Sequence, residues 1–217
     1  MSLIASVLML NRKDVQALSI DKKFDAYALH KVVYSLFEDV RSPAEKLAST
    51  PSGFLYADHG GDYKSRKILL LSNRKPMPQV FGAYGQIQSK LVPESFLQFD
   101  AYRFKVIVNP TRRESVSRKL LPIKTREAIT EWFVERAEQS WGFKVMPLQI
   151  QVDSNNVLQF KDKVQRNITL AQAQIQGVLQ VANRTQFIQS FSQGIGRGRA
   201  FGCGLLQITP ISEGLFD

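Results

Sequence analysis

An α+β fold made of two βαββαβ units in tandem is predicted by three features of the 217-residue chain. Apolar and polar residues alternate along two separated stretches that each lead into a helical pattern. The order of elements starts afresh near Glu94. The second half then runs strand, helix, strands, helix, strand, which is the order of a ferredoxin-like unit. These features divide the chain into a unit over residues 1–94 and a second over 95–217.

The first unit opens with an apolar run over residues 3–10, read as a buried strand. It does not fit a secretory leader, because Arg12 and Lys13 follow the run instead of preceding it and no small-residue cleavage site comes after. The run is also too short to span a bilayer. A helix is predicted over 26–40, with Leu29, Val33, Leu36, Phe37 and Val40 on its inward side. Short strands over 53–57 and 67–71 follow, and the Gly-, Pro- and Gln-rich stretch 76–93 has no clear period.

In the second unit, Phe104, Val106 and Val108 alternate with polar neighbours in a strand over 96–108. A basic loop leads to a helix over 125–140, whose Ile129, Trp132, Phe133 and Ala137 share one face and which Gly142 is placed to end. Strand-like runs over 143–152, 157–163 and 170–181 imply an extra hairpin. A helix over 184–193, a glycine-rich loop and a closing strand over 204–209 complete the order. The repeat is architectural, because the halves share no visible sequence similarity.

Hydrophobic residues make up 44% of the chain and charged residues 22%, as in a folded rather than a disordered protein. The single cysteine, Cys203, lies in an apolar run and reads as a buried thiol on a strand, with a reducing cytoplasm as the expected compartment. The net charge is +10, and its placement is informative. Between Arg103 and Arg126, eight basic residues stand against the single acid Glu114, so this stretch holds most of the excess. Concentrated basic charge neutralises phosphates and releases counterions, although a solvated basic loop has the same composition. The block lacks the apolar face and aromatic anchors of a membrane-surface segment, so no membrane partner is expected.

Two histidines are present, His30 and His59. On the first helix, Tyr27, His30 and Tyr34 fall together on the flank, with His30 about 80° from the centre of the apolar face. That position suits either a boundary histidine or a proton-transfer group beside two phenols. His59, in Asp58-His59-Gly60-Gly61-Asp62, reads as part of a hairpin turn. No histidines or cysteines have metal-ligand spacing, and no acidic pair suits Mg²⁺. The stretch from Gly194 to Gly204 matches neither nucleotide-binding glycine fingerprint and runs from helix into strand, the reverse of both. Its glycines allow close approach of a phosphate chain, and Arg197 and Arg199 add charge.

Three segments together resemble the CasE family of CRISPR RNA endoribonucleases. They are Tyr27-Ala28-Leu29-His30 on a helix after the first strand, Asn109-Pro110 through Ile123-Lys124-Thr125 and Trp132 to Gly142-Phe143, and Val178-Leu179 with Gly194 to Leu206. The resemblance implies two ferredoxin-like domains of the RAMP type, a CRISPR repeat stem-loop as substrate, and retention of the guide RNA with other Cascade-type effector subunits. It further implies cleavage without metal or other cofactor. His30 would act as general base or acid with Tyr27 positioning it, and the products would carry a 2′,3′-cyclic phosphate (or 3′-phosphate) and a 5′-hydroxyl. A basic side chain supports the scissile phosphate in that family; Lys161 and Lys163, on one face of a predicted strand, are the candidates here. Arg112, Arg113, Arg118 and Lys119 would grip the stem, and Arg197 and Arg199 the strand near the cut. Arg199 stands where the family often has lysine, which keeps the charge but not a donatable proton.

Two other readings keep the scaffold. A non-catalytic RNA-binding subunit of such a complex would need no imidazole chemistry. An RRM-type module would show an aromatic strand signature that this chain lacks.

Overall fold

The computed structural model describes residues 2–11, 25–48, 50–62, 64–77, 85–116, 118–161 and 165–211. By internal packing the chain divides into two units. One comprises Met1–Val92, Phe160–Ile168 and Arg199–Gly202, and the other Pro93–Gln159, Thr169–Gly198 and Cys203–Asp217.

The first unit contains β1 (Ile4–Asn11), α1 (Ala26–Ser35), the short α2 (Pro43–Leu47), β2 (Phe54–Gly61), β3 (Ser65–Ser72) and β4 (Gly85–Leu91). Its sheet has the order β2-β3-β1-β4, with each neighbouring pair antiparallel. Counted within the unit this is fourth, first, third, second, the ferredoxin-like order. Alternation along β1 buries Leu8 and Leu10 while Met9 faces outward. Leu8 is opposite Ile68, and Tyr56 of β2 is opposite Leu70. Against this face α1 packs Ala28, Leu29, Val32 and Val33, and the turn after it packs Leu36 and Phe37. The larger of these side chains, Leu, Val and Phe, each contribute about 1.5–3 kcal/mol on burial.

Helix α1 is shorter than predicted. Asp25 caps its start by accepting the Ala28 N–H at 2.7 Å. At its end the last turn tightens, with the Leu36 N–H on the Val33 carbonyl and the Phe37 N–H on the Tyr34 carbonyl, and the Leu36 carbonyl accepts the N–H of Met77, 2.7 Å away. Val40 is consequently outside the helix and 66% exposed, not part of the core. The fragment Asp58–Gly61, expected as a turn, continues β2 through a bulge, and His59 is an exposed strand residue.

The second unit contains β5 (Ala101–Val108), β6 (Thr111–Arg113), β7 (Leu120–Pro122), α3 (Arg126–Arg136), β8 (Phe143–Lys161), β9 (Asn167–Val181), α4 (Arg184–Gln193) and β10 (Gln207–Pro210). Residues at the linked ends of β8 and β9 fall in the first unit. The order β10-β5-β9-β8 repeats the ferredoxin-like pattern. Two antiparallel ferredoxin-like sheets in tandem are therefore the architecture. The expected runs 143–152 and 157–163 are a single strand as far as Lys161, with residues 162–163 outside the described set. The added hairpin is instead β6–β7, within the stretch expected as a basic loop.

Packing in this unit is aromatic. Ile129, Phe133 and Ala137 of the α3 segment are fully buried, and Phe133 stacks on Phe104 with ring centroids 5.5 Å apart. After α3, a π-turn over Ala137–Trp141 ends at Gly142, whose φ of 76° is left-handed. The Gly142 carbonyl accepts the N–H groups of Ala182 and Asn183, and Asn183 then caps α4. Cys203 is buried just before β10 rather than on a strand, because Gly204 turns with φ of 87°. Burial pushes its thiol up to about 12, so it is unreactive at neutral pH. Among the described residues no helix is long and apolar enough to cross a membrane.

At Gly142 a Cβ would lie 2.5 Å from the Phe187 nitrogen and 2.7 Å from the Asn183 oxygen. Gly142→Ala is therefore expected to destabilise the protein by more than about 1 kcal/mol, read as a lower urea midpoint at unchanged m-value.

Candidate functional site

The first unit assembles a histidine site from three segments distant in sequence. Helix α1 supplies Tyr27, His30 and Tyr34 on its half-buried flank. The Tyr27 ring is nearly parallel to the imidazole, with centroids 5.8 Å apart and 15° between planes. Tyr34 lies 4.0 Å away and Phe201 5.3 Å away. Phe160 in turn packs 4.7 Å from Phe201. The Lys31 ammonium is 5.3 Å over the Tyr27 ring.

A backbone carbonyl fixes the imidazole. His30 Nδ1 is 2.8 Å from the Ala200 carbonyl oxygen. A carbonyl can only accept, so Nδ1 carries a proton, and in the neutral ring Nε2 is bare. The Tyr56 hydroxyl donates to the same oxygen at 2.9 Å. Burial lowers the proton affinity of His30, and the Ala200 hydrogen bond opposes this without overturning it. At neutral pH the side chain is mostly an uncharged imidazole with one nitrogen able to take a proton.

The remaining candidates are placed as follows. Lys161, the last residue of β8, is exposed beside the buried Phe160. Lys163 lies outside the described residues. Arg112 and Arg113 of β6, with Arg118 and Lys119 of the following turn, are all exposed on one hairpin of the second unit. Arg118 adopts φ of 58°, with its N–H on the Glu114 carbonyl and its own carbonyl accepting from Arg113 Nη1 at 2.8 Å. Arg197 and Arg199 are exposed, Arg197 in a bend of the second unit and Arg199 at the start of a short 3₁₀ turn (Arg199–Phe201) in the first. The structure thus gathers Tyr27 and His30 at one point and the four hairpin cations at another. Among the described residues no three His, Cys, Asp or Glu side chains cluster as metal ligands.

Tyr56, Ala200 and Phe201 were not singled out from sequence. Tyr56 looks like any apolar strand residue, and a backbone carbonyl leaves no trace in residue type. The only available signal was Phe201, an aromatic among glycines.

A tandem ferredoxin-like protein with a fixed histidine in its first unit is thus the class defined by fold and site. The chain belongs to the CRISPR-associated protein family, whose profile it matches over residues 4–210. It is 26% identical over 117 residues to the CRISPR-associated endoribonuclease Cse3 of Thermus thermophilus, an alignment covering 50% of this chain and 55% of that relative. The structure of Thermus thermophilus Cse3 bound to an RNA representing a pre-cleavage complex superposes with a TM-score of 0.76 at 18% identity, covering 97% of this chain and all of the other. A chain of a CRISPR RNA-guided surveillance complex superposes with a TM-score of 0.66 at 20% identity, over 96% of this chain and all of that one.

Because burial outweighs the hydrogen bond, the His30 imidazole is expected to titrate below the ordinary histidine value of about 6.5. A ¹H–¹⁵N titration with His59→Gln assigning the signals checks this, and a midpoint above that value would contradict it.

Proposed function

We propose that this chain is an endoribonuclease that cuts CRISPR repeat stem-loops in precursor RNA and then stays on the guide RNA as a subunit of a Cascade-type effector. The observation that carries the reading is the bare Nε2 of His30, in a ring that burial keeps neutral and whose Nδ1 proton is held by the Ala200 carbonyl. Support comes from the family, from the endoribonuclease named among its relatives, and from the RNA-bound and surveillance-complex folds it shares.

The chemistry needs no metal. His30 Nε2 takes the proton of a ribose 2′-hydroxyl, and the resulting oxygen attacks the adjacent phosphorus. The bond from phosphorus to the 5′-oxygen breaks, leaving a 2′,3′-cyclic phosphate and, once that oxygen is protonated, a 5′-hydroxyl. Tyr27, stacked against the ring, holds the imidazole plane. Lys161 or Lys163 stabilises charge on the phosphate, and Arg197 and Arg199 hold the strand beside it. The Arg112, Arg113, Arg118 and Lys119 hairpin grips the stem, since an A-form helix is recognised by shape and backbone. On this reading the domains are 1–94, which carries the Tyr27 and His30 helix, and 95–217, which carries the basic loop and the glycine-rich loop.

Wild type in EDTA is expected to cut a labelled repeat stem-loop at one site, and His30→Ala to be slower by about 10²–10⁴-fold. Mapping the ends identifies the product chemistry. Tight binding without cutting by wild type would replace the nuclease with a non-catalytic subunit, and cutting only with added divalent metal would overturn the mechanism. Replacing the four hairpin cations with glutamine should lower the slope of log K against log salt by about 3 and weaken RNA binding. An unchanged salt slope would remove the hairpin from the interface.

A further inference from the structure

Tyr56 lies on β2 with 1% of its surface exposed, among the apolar residues that pack on α1. A phenol buried that deeply needs an acceptor for its O–H. The acceptor is the Ala200 oxygen, which also takes the His30 Nδ1 proton. The Tyr56 ring makes a second contact with the same segment. Gly202 has φ of 80°, and a Cβ there would lie 3.1 Å from Tyr56 Cε2. Arg199–Gly202 is thus gripped twice by one buried side chain of the edge strand β2, at a carbonyl and at a glycine face.

We propose that Tyr56 is a positioning residue for His30, its hydroxyl fixing the Ala200 carbonyl so that this carbonyl selects the tautomer with a proton on Nδ1 and none on Nε2. The proposal deepens the nuclease reading and rests on it for its catalytic consequence. The tautomer of a neutral histidine is set by the hydrogen bond at its other nitrogen. If the carbonyl drifts, the proton can move to Nε2, and a ring protonated there cannot accept one from the 2′-hydroxyl. A side chain needed only to fill the core would work equally well as phenylalanine. The hydroxyl is what distinguishes the two residues, and its acceptor is the catalytic clamp. Tyr56 touches no reacting atom in this arrangement and acts through the carbonyl.

The test compares wild type, Tyr56→Phe and Gly202→Ala, each with its melting temperature, RNA affinity, single-turnover cleavage rate in EDTA across pH, and imidazole ¹⁵N spectrum. Gly202→Ala puts a methyl against the Tyr56 ring at a left-handed backbone position and so displaces the clamp from the other side. In wild type the neutral His30 is expected as the Nδ1–H tautomer. In Tyr56→Phe a share of Nε2–H tautomer should appear, with the plateau rate lower by about tenfold to a hundredfold. RNA affinity should stay within about twofold. Gly202→Ala should move the tautomer and the rate in the same direction.

A wild-type spectrum showing Nε2–H overturns the proposal without any variant. So does a Tyr56→Phe protein with wild-type tautomer and rate, or one whose rate loss is matched by equal loss of affinity at an unchanged tautomer. If wild type leaves the stem-loop uncut while Tyr56→Phe shifts the tautomer, the positioning of His30 by Tyr56 stands and the nuclease reading falls.

Discussion

A carbonyl oxygen offers two lone pairs, and at Ala200 both are occupied: one by a phenol from strand β2, the other by an imidazole from helix α1. The remaining features of the first unit set up this meeting. The sheet must bury Tyr56 so that its hydroxyl cannot turn to water, and α1 must pack Leu29 and Val33 inward so that His30 is left on the flank. The segment Arg199–Gly202 must come close enough for its backbone, rather than a side chain, to be the shared acceptor. Close approach explains Gly202, whose missing side chain is the space the Tyr56 ring occupies. Replacing Ala200 by another residue would leave the acceptor in place. Moving the backbone would remove it.

The surroundings of His30 are chosen against charge. A carboxylate beside the ring would favour imidazolium and raise its proton affinity, whereas Tyr27, Tyr34 and Phe201 exclude water and lower it. The carbonyl fixes orientation at a smaller electrostatic effect than a carboxylate would have. Fixed positive charge calls for the opposite environment, and in the second unit the cations of the two-stranded hairpin all face solvent. A half-buried neutral imidazole and exposed fixed charge make incompatible demands on dielectric, and they occupy different elements.

Legibility in the sequence followed the same physics. The periodicity around His30 identified its neighbours Tyr27 and Tyr34 because side chains on one helix flank are related by spacing alone. The α4 bounds, 184–193, were equally readable, since Asn183 and Gly194 punctuate them. Val40 lies outside α1 because the last turn tightens at Leu36 and Phe37, where the chain takes a contact to Met77, 41 residues on, that periodicity does not reveal. Strand β8 was divided because Asp153, Ser154, Asn155 and Asn156 resemble a turn, yet in the structure Asp153 accepts from Gln174 and Gln176 of β9, and the strand continues. The β6–β7 hairpin was hidden by its charge, which has no alternation to read. His59 and Cys203 each sat one local feature away from their predicted setting, a bulge in one case and a left-handed glycine in the other.

Tyr56 shows why part of a site is invisible to such reading. Its strand neighbours Phe54, Leu55 and Ala57 are all buried, and in that company a tyrosine looks like volume. A partner 144 positions later along the chain gives its hydroxyl a role. His30 is conspicuous because its residue type is rare here, while the group that holds its Nδ1 proton is a main-chain oxygen available at any residue. The chemistry of this site therefore depends on a tertiary coincidence of one carbonyl with two donors. A substitution that keeps every side chain around the imidazole but shifts that oxygen would still leave Nε2 with the wrong proton.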